Sequence, residues 1–310
     1  MPTQPLETLL WREMSRVEAD PVVGLASPLL TELVNHATCA FARCASETAG
    51  QVDIHVAVLA LYWQVITFTD AIEVLVSEAC AVGVVPALRT TFEALLYIEY
   101  ITSDDTQYVN RSLAWLANHV RERLKYWERL DATTQAGKEF RRRMKRDSVG
   151  KGVSLPKSTT AVAKQKKANL QAWLRRAHVQ PVVAELTRLG WPNWYQAFGG
   201  RSNLCDLADY LGRGGLYDFL YRGWSKLVHA QDAIPMMDET TKGEQAIHRI
   251  RDPEQLAWPA FLAATFMLEA TRQVLRHRRP GEERALASWY AQEIRGPYQS
   301  LRQLTGQMPV

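Results

Sequence analysis

Two short stretches of the chain place reactive side chains at helical spacing. In VVPALRTTFEALLYIEYI, residues 84–101, Arg89 and Glu93 stand four positions apart among apolar and aromatic neighbours. On a helix that interval puts them on one face, one turn apart, where they can pair. A helix this apolar is expected to be buried, and a charge left alone there costs several kcal/mol. The pair therefore needs itself or a third partner, either as an ion pair that locks helix packing or as part of an active site, where perturbed charges collect.

In LYDFLYRGWSKLVHAQ, residues 216–231, Arg222, Ser225 and His229 are spaced by three and four. At about 100° per residue, seven positions are almost two full turns, so the Arg222 guanidinium and the His229 imidazole are expected to project together. Histidine transfers protons near neutral pH, and arginine stabilises charge on a phosphate approaching five-coordination. Together they suit transesterification of RNA, in which a 2′-hydroxyl attacks the neighbouring phosphate without a metal. The bland alternative is a structural histidine on a helix that also offers Leu220, Trp224 and Leu227 to a core.

Other chemistries find no footing in the sequence. There is no Gly-x-x-x-x-Gly-Lys-Ser/Thr loop and no Gly-x-Gly-x-x-Gly after a strand, so a nucleotide cofactor is not expected. His36, His55, His119, His178, His248 and His277 are scattered, without the His-Glu-x-x-His or Glu-x-x-His spacing of a metal site. Ser225 lies mid-helix, without the strand-to-helix elbow that exposes a hydrolase nucleophile. The ten tryptophans read most simply as core and interface residues.

Charge is unevenly placed. Residues 141–176 hold twelve lysines and arginines against one acid, Asp147, a net +11 in a chain whose total is +4, leaving −7 for the other 274 residues. Arg141, Arg142, Arg143, Lys145, Arg146, Lys164, Lys166 and Lys167 are the candidate contacts to a polyanion. A solvated basic hairpin is the other reading.

The elements that must position these residues are helices. Apolar residues recur three and four apart, and alternating strand-like runs are almost absent, so the expected fold is all-α, one multi-helix bundle over residues 1–310 with residues 141–176 as a basic hairpin within it. Helices are predicted near 4–18, 27–48, 52–81, 84–102, 105–131, 134–146, 159–177, 180–189, 203–211, 215–230, 253–278 and 282–304, with Pro21 and Gly50 among the breakers. The 14-residue apolar stretch from Val56 to Thr69 is shorter than the ~20 residues of a membrane span and reads as core, so no membrane is expected. Cys39, Cys44, Cys80 and Cys205 form no Cys-x-x-Cys pair, and the N-terminus carries no secretory pattern. A reducing, cytoplasmic setting is the expectation.

The helix LRTTFEALLYIEYI, the Arg-rich NRSLAWLANHVRERLKYWERL and the late Tyr-x3-Ser-x3-His of YRGWSKLVHA together resemble the uncharacterised bacterial family known as domain of unknown function 5677, over roughly residues 50 to 235. More loosely, Arg222 and His229, with six residues between, are similar to the motif of HEPN ribonucleases. That resemblance implies an all-helical homodimer that cleaves RNA without a metal or other cofactor, at a site formed where two copies meet, in toxin or anti-phage defence systems. One departure is Gly223, where active HEPN motifs often carry Asn, Asp or His. The expected function is thus a metal-independent endoribonuclease with His229 as acid or base, Arg222 on the phosphate, and Arg89 and Glu93 orienting the site. The alternative is a non-catalytic regulatory subunit of a defence or toxin–antitoxin system, with a partner protein and with Arg89, Glu93 and His229 as a buried polar network.

Overall fold

The computed structural model describes residues 12–46, 52–152, 156, 158–223, 237–239, 245–247, 251 and 255–306. The fold is all-α. The chain separates into two compact units, Met1–Asp104 with Cys205–Val310, and Asp105–Leu204.

In the first unit, α1 (Arg12–Ser46), α2 (Val52–Ser77), α3 (Ala81–Thr102) and α10 (Ala257–Arg278) pack on one another. Their buried sides, Leu30 and Leu33 from α1, Tyr62 and Ile72 from α2, Leu88, Phe92 and Leu95 from α3 and Phe266 from α10, make the core. The Tyr62 hydroxyl lies 2.9 Å from Thr271 Oγ1 and donates to the Ala37 carbonyl at 3.3 Å, tying three of these helices together. α2 and α3 are long and apolar enough, by length and composition, to cross a bilayer. Here each turns its most apolar side to the core.

Pro21 does not break the first helix as the sequence suggests: α1 runs through both Pro21 and Pro28. These prolines stand seven apart on the exposed face, so the backbone hydrogen bonds they cannot donate are on the solvent side. Burial of Ala26, Leu29, Leu30 and Leu33 opposite them holds the helix together. After the short α8 (Leu204–Tyr210), the described part of the helix expected over 215–230 begins as an α turn, α9 (Gly214–Tyr217), and continues as a π turn at Asp218–Gly223, while residues 224–230 lie outside the described residues. A second π turn, Tyr290–Ile294, divides the expected 282–304 helix into α11 (Glu283–Trp289) and α12 (Arg295–Thr305). Two three-residue strands, Met237–Glu239 and Gln245–Ile247, pair antiparallel, with Asp238 opposite Ala246.

In the second unit, α4 (Tyr108–Leu130) is the central helix, and α5 (Gln135–Arg146), α6 (Thr159–Leu174) and α7 (Gln180–Arg188) pack against it. α5 is capped by Thr134, whose hydroxyl accepts from the Gly137 amide at 3.0 Å. Gly137 is obligatory at this corner, because a Cβ there would stand 1.8 Å from the Asp131 carbonyl oxygen.

Candidate functional site

α3 carries the first candidate pair, and the structure gives each member a different partner from the one spacing suggests. Among the described residues no ion pair joins Arg89 to Glu93. Glu93 instead accepts a hydrogen bond from the Tyr97 hydroxyl at 2.6 Å and another from the Tyr221 hydroxyl at 2.8 Å. Bonds from a neutral donor to a carboxylate contribute about 1.5–3 kcal/mol each. The Arg89 guanidinium lies over the Tyr221 ring, 4.3 Å from its centroid, a cation–π contact. Tyr217 stacks on the Tyr221 ring as well, with ring centroids 4.8 Å apart and planes 9° from parallel. Arg89 Nε is buried and has no hydrogen-bond partner among the described residues.

Tyr221 reaches this position because the π turn carries it there, anchored by fully buried Leu220. Burial, and then the negative charge of Glu93, push its phenol far above the usual tyrosine range, so Tyr221 remains a donor throughout the physiological range. The same stretch is tied to α3 again six residues beyond Glu93. Arg213 donates to both oxygens of Glu99, at 2.6 and 3.3 Å, and Glu99 is only 7% exposed. Tyr100 and Tyr210 meet edge to face nearby.

Of the residues expected to carry chemistry, Arg89 and Glu93 are thus joined by Tyr221, the tyrosine just before Arg222. Arg222 belongs to the π turn by its backbone. Its side chain, Ser225 and His229 lie outside the described residues. The expectation that Arg222 and His229 share a helix face therefore falls on residues outside the described ones. Attention to Arg89 and Glu93 alone passes over Glu99, Tyr97 and Tyr221. Glu99 was readable as a third charge in the apolar LLYIEYI. Among the described residues no three His, Cys, Asp or Glu side chains gather in a way that could hold a metal ion.

A protein-family model described as a family of unknown function, DUF5677, matches residues 55–244, more than half of the chain. The chain belongs to the DUF5677 family. No curated protein and no solved structure matches it. The DUF5677 match runs from the first turn of α2 past the π turn, and so contains the Arg89, Glu93 and Tyr221 cluster whole.

The eight basic residues singled out by the sequence fall into two groups. Four are bonded to neighbours in the fold. Arg141 donates to the carbonyls of Leu130 at 3.2 Å and Gly137 at 3.5 Å, clasping the α4–α5 corner. Arg142 grips both oxygens of Glu139 at 2.7 and 2.8 Å and Arg143 adds a third bond at 2.9 Å, which together hold the Glu139 carboxyl down at about 2. Lys167 meets the buried Asp131 at 2.7 Å. That bond, with those from Thr133, keeps Asp131 well below the usual carboxylate range. Lys145, Arg146, Lys164 and Lys166 are exposed and take part in no ion pair among the described residues. Arg143, Lys145 and Arg146 also sit in the last turn of α5, where the helix dipole favours cations.

Proposed function

We propose that this DUF5677 protein is a metal-independent endoribonuclease of the HEPN type, acting in the cytoplasm as a toxin or anti-phage effector. The observation that carries the reading is the Tyr221 bridge. Its hydroxyl on Glu93 and its ring beneath Arg89 bring the segment that opens the Arg222 to His229 motif to the polar face of α3.

In this scheme the 2′-hydroxyl oxygen of the substrate attacks the adjacent phosphorus and its proton passes to the His229 imidazole. The bond from phosphorus to the 5′-oxygen breaks, and that oxygen takes a proton from the imidazolium of a second His229 or from water. The products are a 2′,3′-cyclic phosphate and a 5′-hydroxyl. Arg222 offsets the extra negative charge on the phosphoryl oxygens. Arg89, whose buried Nε has no acceptor of its own, adds a further donor. The second His229 comes from a second copy of the chain, in keeping with a site shared across a homodimer.

One observation favours a different reading. Glu93 already receives two phenols, as a residue that holds helices together does, and this supports a non-catalytic regulatory subunit that works through a partner protein. Incubation of the purified chain with structured and single-stranded RNA in excess chelator separates the two. The ribonuclease reading expects cyclic-phosphate ends that vanish in His229→Gln with little change in melting temperature. Cleavage that persists in His229→Gln, or none by the wild type as monomer or dimer, overturns it.

A further inference from the structure

α10, α11, the second π turn and α12 line a half-open cleft of about 640 Å³ in the first unit. Its size lies within the roughly 300–1,000 Å³ of small-molecule sites. None of the residues discussed for RNA cleavage lines it.

The lining has three chemically distinct parts. Leu268, Leu286 and Ala287 give the lining its apolar part. Tyr290 and Tyr298 make an aromatic wall, their rings edge to face with centroids 6.4 Å apart. Tyr298 is fixed by a 2.9 Å hydrogen bond between its hydroxyl and Thr265. The third part is charge, and most of it is spent. Glu269 is bonded to Arg272 at 2.7 Å and stands 3.8 Å from Arg213. Two charges remain. Arg276 and Glu283 both face the cleft, both are exposed, and neither takes part in an ion pair among the described residues.

The wall is held from behind. Trp289, immediately before Tyr290, stacks on His36 of α1 with centroids 3.7 Å apart and donates its indole N–H to Glu32 at 3.0 Å. The π turn begins at the next residue, and such turns are frequent at functional sites because they re-aim side chains. A pocket whose wall is fixed before binding spares a ligand the ordering cost.

From the unspent cation and anion beside an apolar and aromatic lining, we infer that this cleft binds a small molecule with a planar ring, an anionic group and an amino group. The ring lies against the tyrosines, the anion meets Arg276, and the amino group donates to Glu283. An aromatic amino acid and an amino-bearing nucleoside monophosphate share this chemistry.

Isothermal titration of the full chain with L-tryptophan, adenosine monophosphate, indole and inorganic phosphate tests the inference. One of the two bifunctional rings should bind saturably with Kd below about 1 mM, and which one does so identifies the source of the chemistry. Indole and phosphate, each carrying part of the recognition, should bind at least about tenfold more weakly. Arg276→Gln and Glu283→Gln should each weaken the favoured ring about tenfold, the loss of one charge-assisted bond. Both residues are exposed, so an unchanged melting temperature is expected and separates lost binding from lost fold. Absence of binding by both rings, equal binding of indole or phosphate, or undiminished binding in both variants overturns it. RNA cleavage by the same preparations reports on the catalytic proposal separately.

Discussion

Removing the Tyr221 hydroxyl while keeping its ring isolates the bond that closes the α3 site. In Tyr221→Phe the stack on Tyr217 and the contact beneath Arg89 survive, since both use the ring face. Only the 2.8 Å bond to Glu93 is lost. A neutral donor on a carboxylate is worth about 1.5–3 kcal/mol. Because Glu93 is half-buried and keeps Tyr97, water and the remaining phenol recover part of the loss, and the cost should fall near the lower end, about 1.5 kcal/mol. Glu93→Gln removes the charge that strengthens both bonds but leaves an amide oxygen to accept one, so about 2 kcal/mol is expected. If the two substitutions act through one bond, the double variant should cost about 1–1.5 kcal/mol less than the sum. Urea unfolding followed by circular dichroism measures all four corners of the cycle. Additivity to within about 0.3–0.5 kcal/mol, the range for independent sites, would refute the claim that Tyr221 and Glu93 act as a unit.

Two further outcomes concern pH and salt. Burial, with Arg278 and His277 adding to it, lowers His55 to about 4, so the unfolded chain takes up its proton first and stability should fall as pH drops from about 6.5 to 4; His55→Gln should flatten the thermal-unfolding profile over that window, and an unaltered profile would assign the slope to other groups. Replacing Lys145, Arg146, Lys164 and Lys166 with Gln should reduce the slope of log affinity against log salt for single-stranded RNA by up to about 3, whereas replacing Arg142 and Arg143, already held by Glu139, should change it less; the reverse order would place the contact on the paired arginines.

The helical fold is legible in the sequence because burial imposes a 3.6-residue period. The 134–146 and 180–189 predictions lie within one residue of Gln135–Arg146 and Gln180–Arg188. Departures occur where local rules meet tertiary packing, as when α1 passes Pro21 because its opposite face is buried. The candidate site was half legible. Spacing selects Arg89 and Glu93, but their partner lies 128 positions from Glu93 on a turn whose register no helical count anticipates. Composition likewise reveals a +11 segment without revealing that Glu139 and Asp131 neutralise part of it.

The π turn at Asp218–Gly223 lets this segment vary in length by one residue without losing its place. An i→i+5 turn houses one residue more than the α turn it replaces. A relative with one residue fewer between Tyr217 and Tyr221 would close the turn into regular α geometry, and the backbone on either side would keep its direction, because the extra residue is absorbed within the turn. What changes is which side chain the turn itself presents to Glu93, the place that Tyr221 takes here. Relatives of this protein are therefore best aligned on the residue that meets Glu93, with a one-residue gap allowed in the turn.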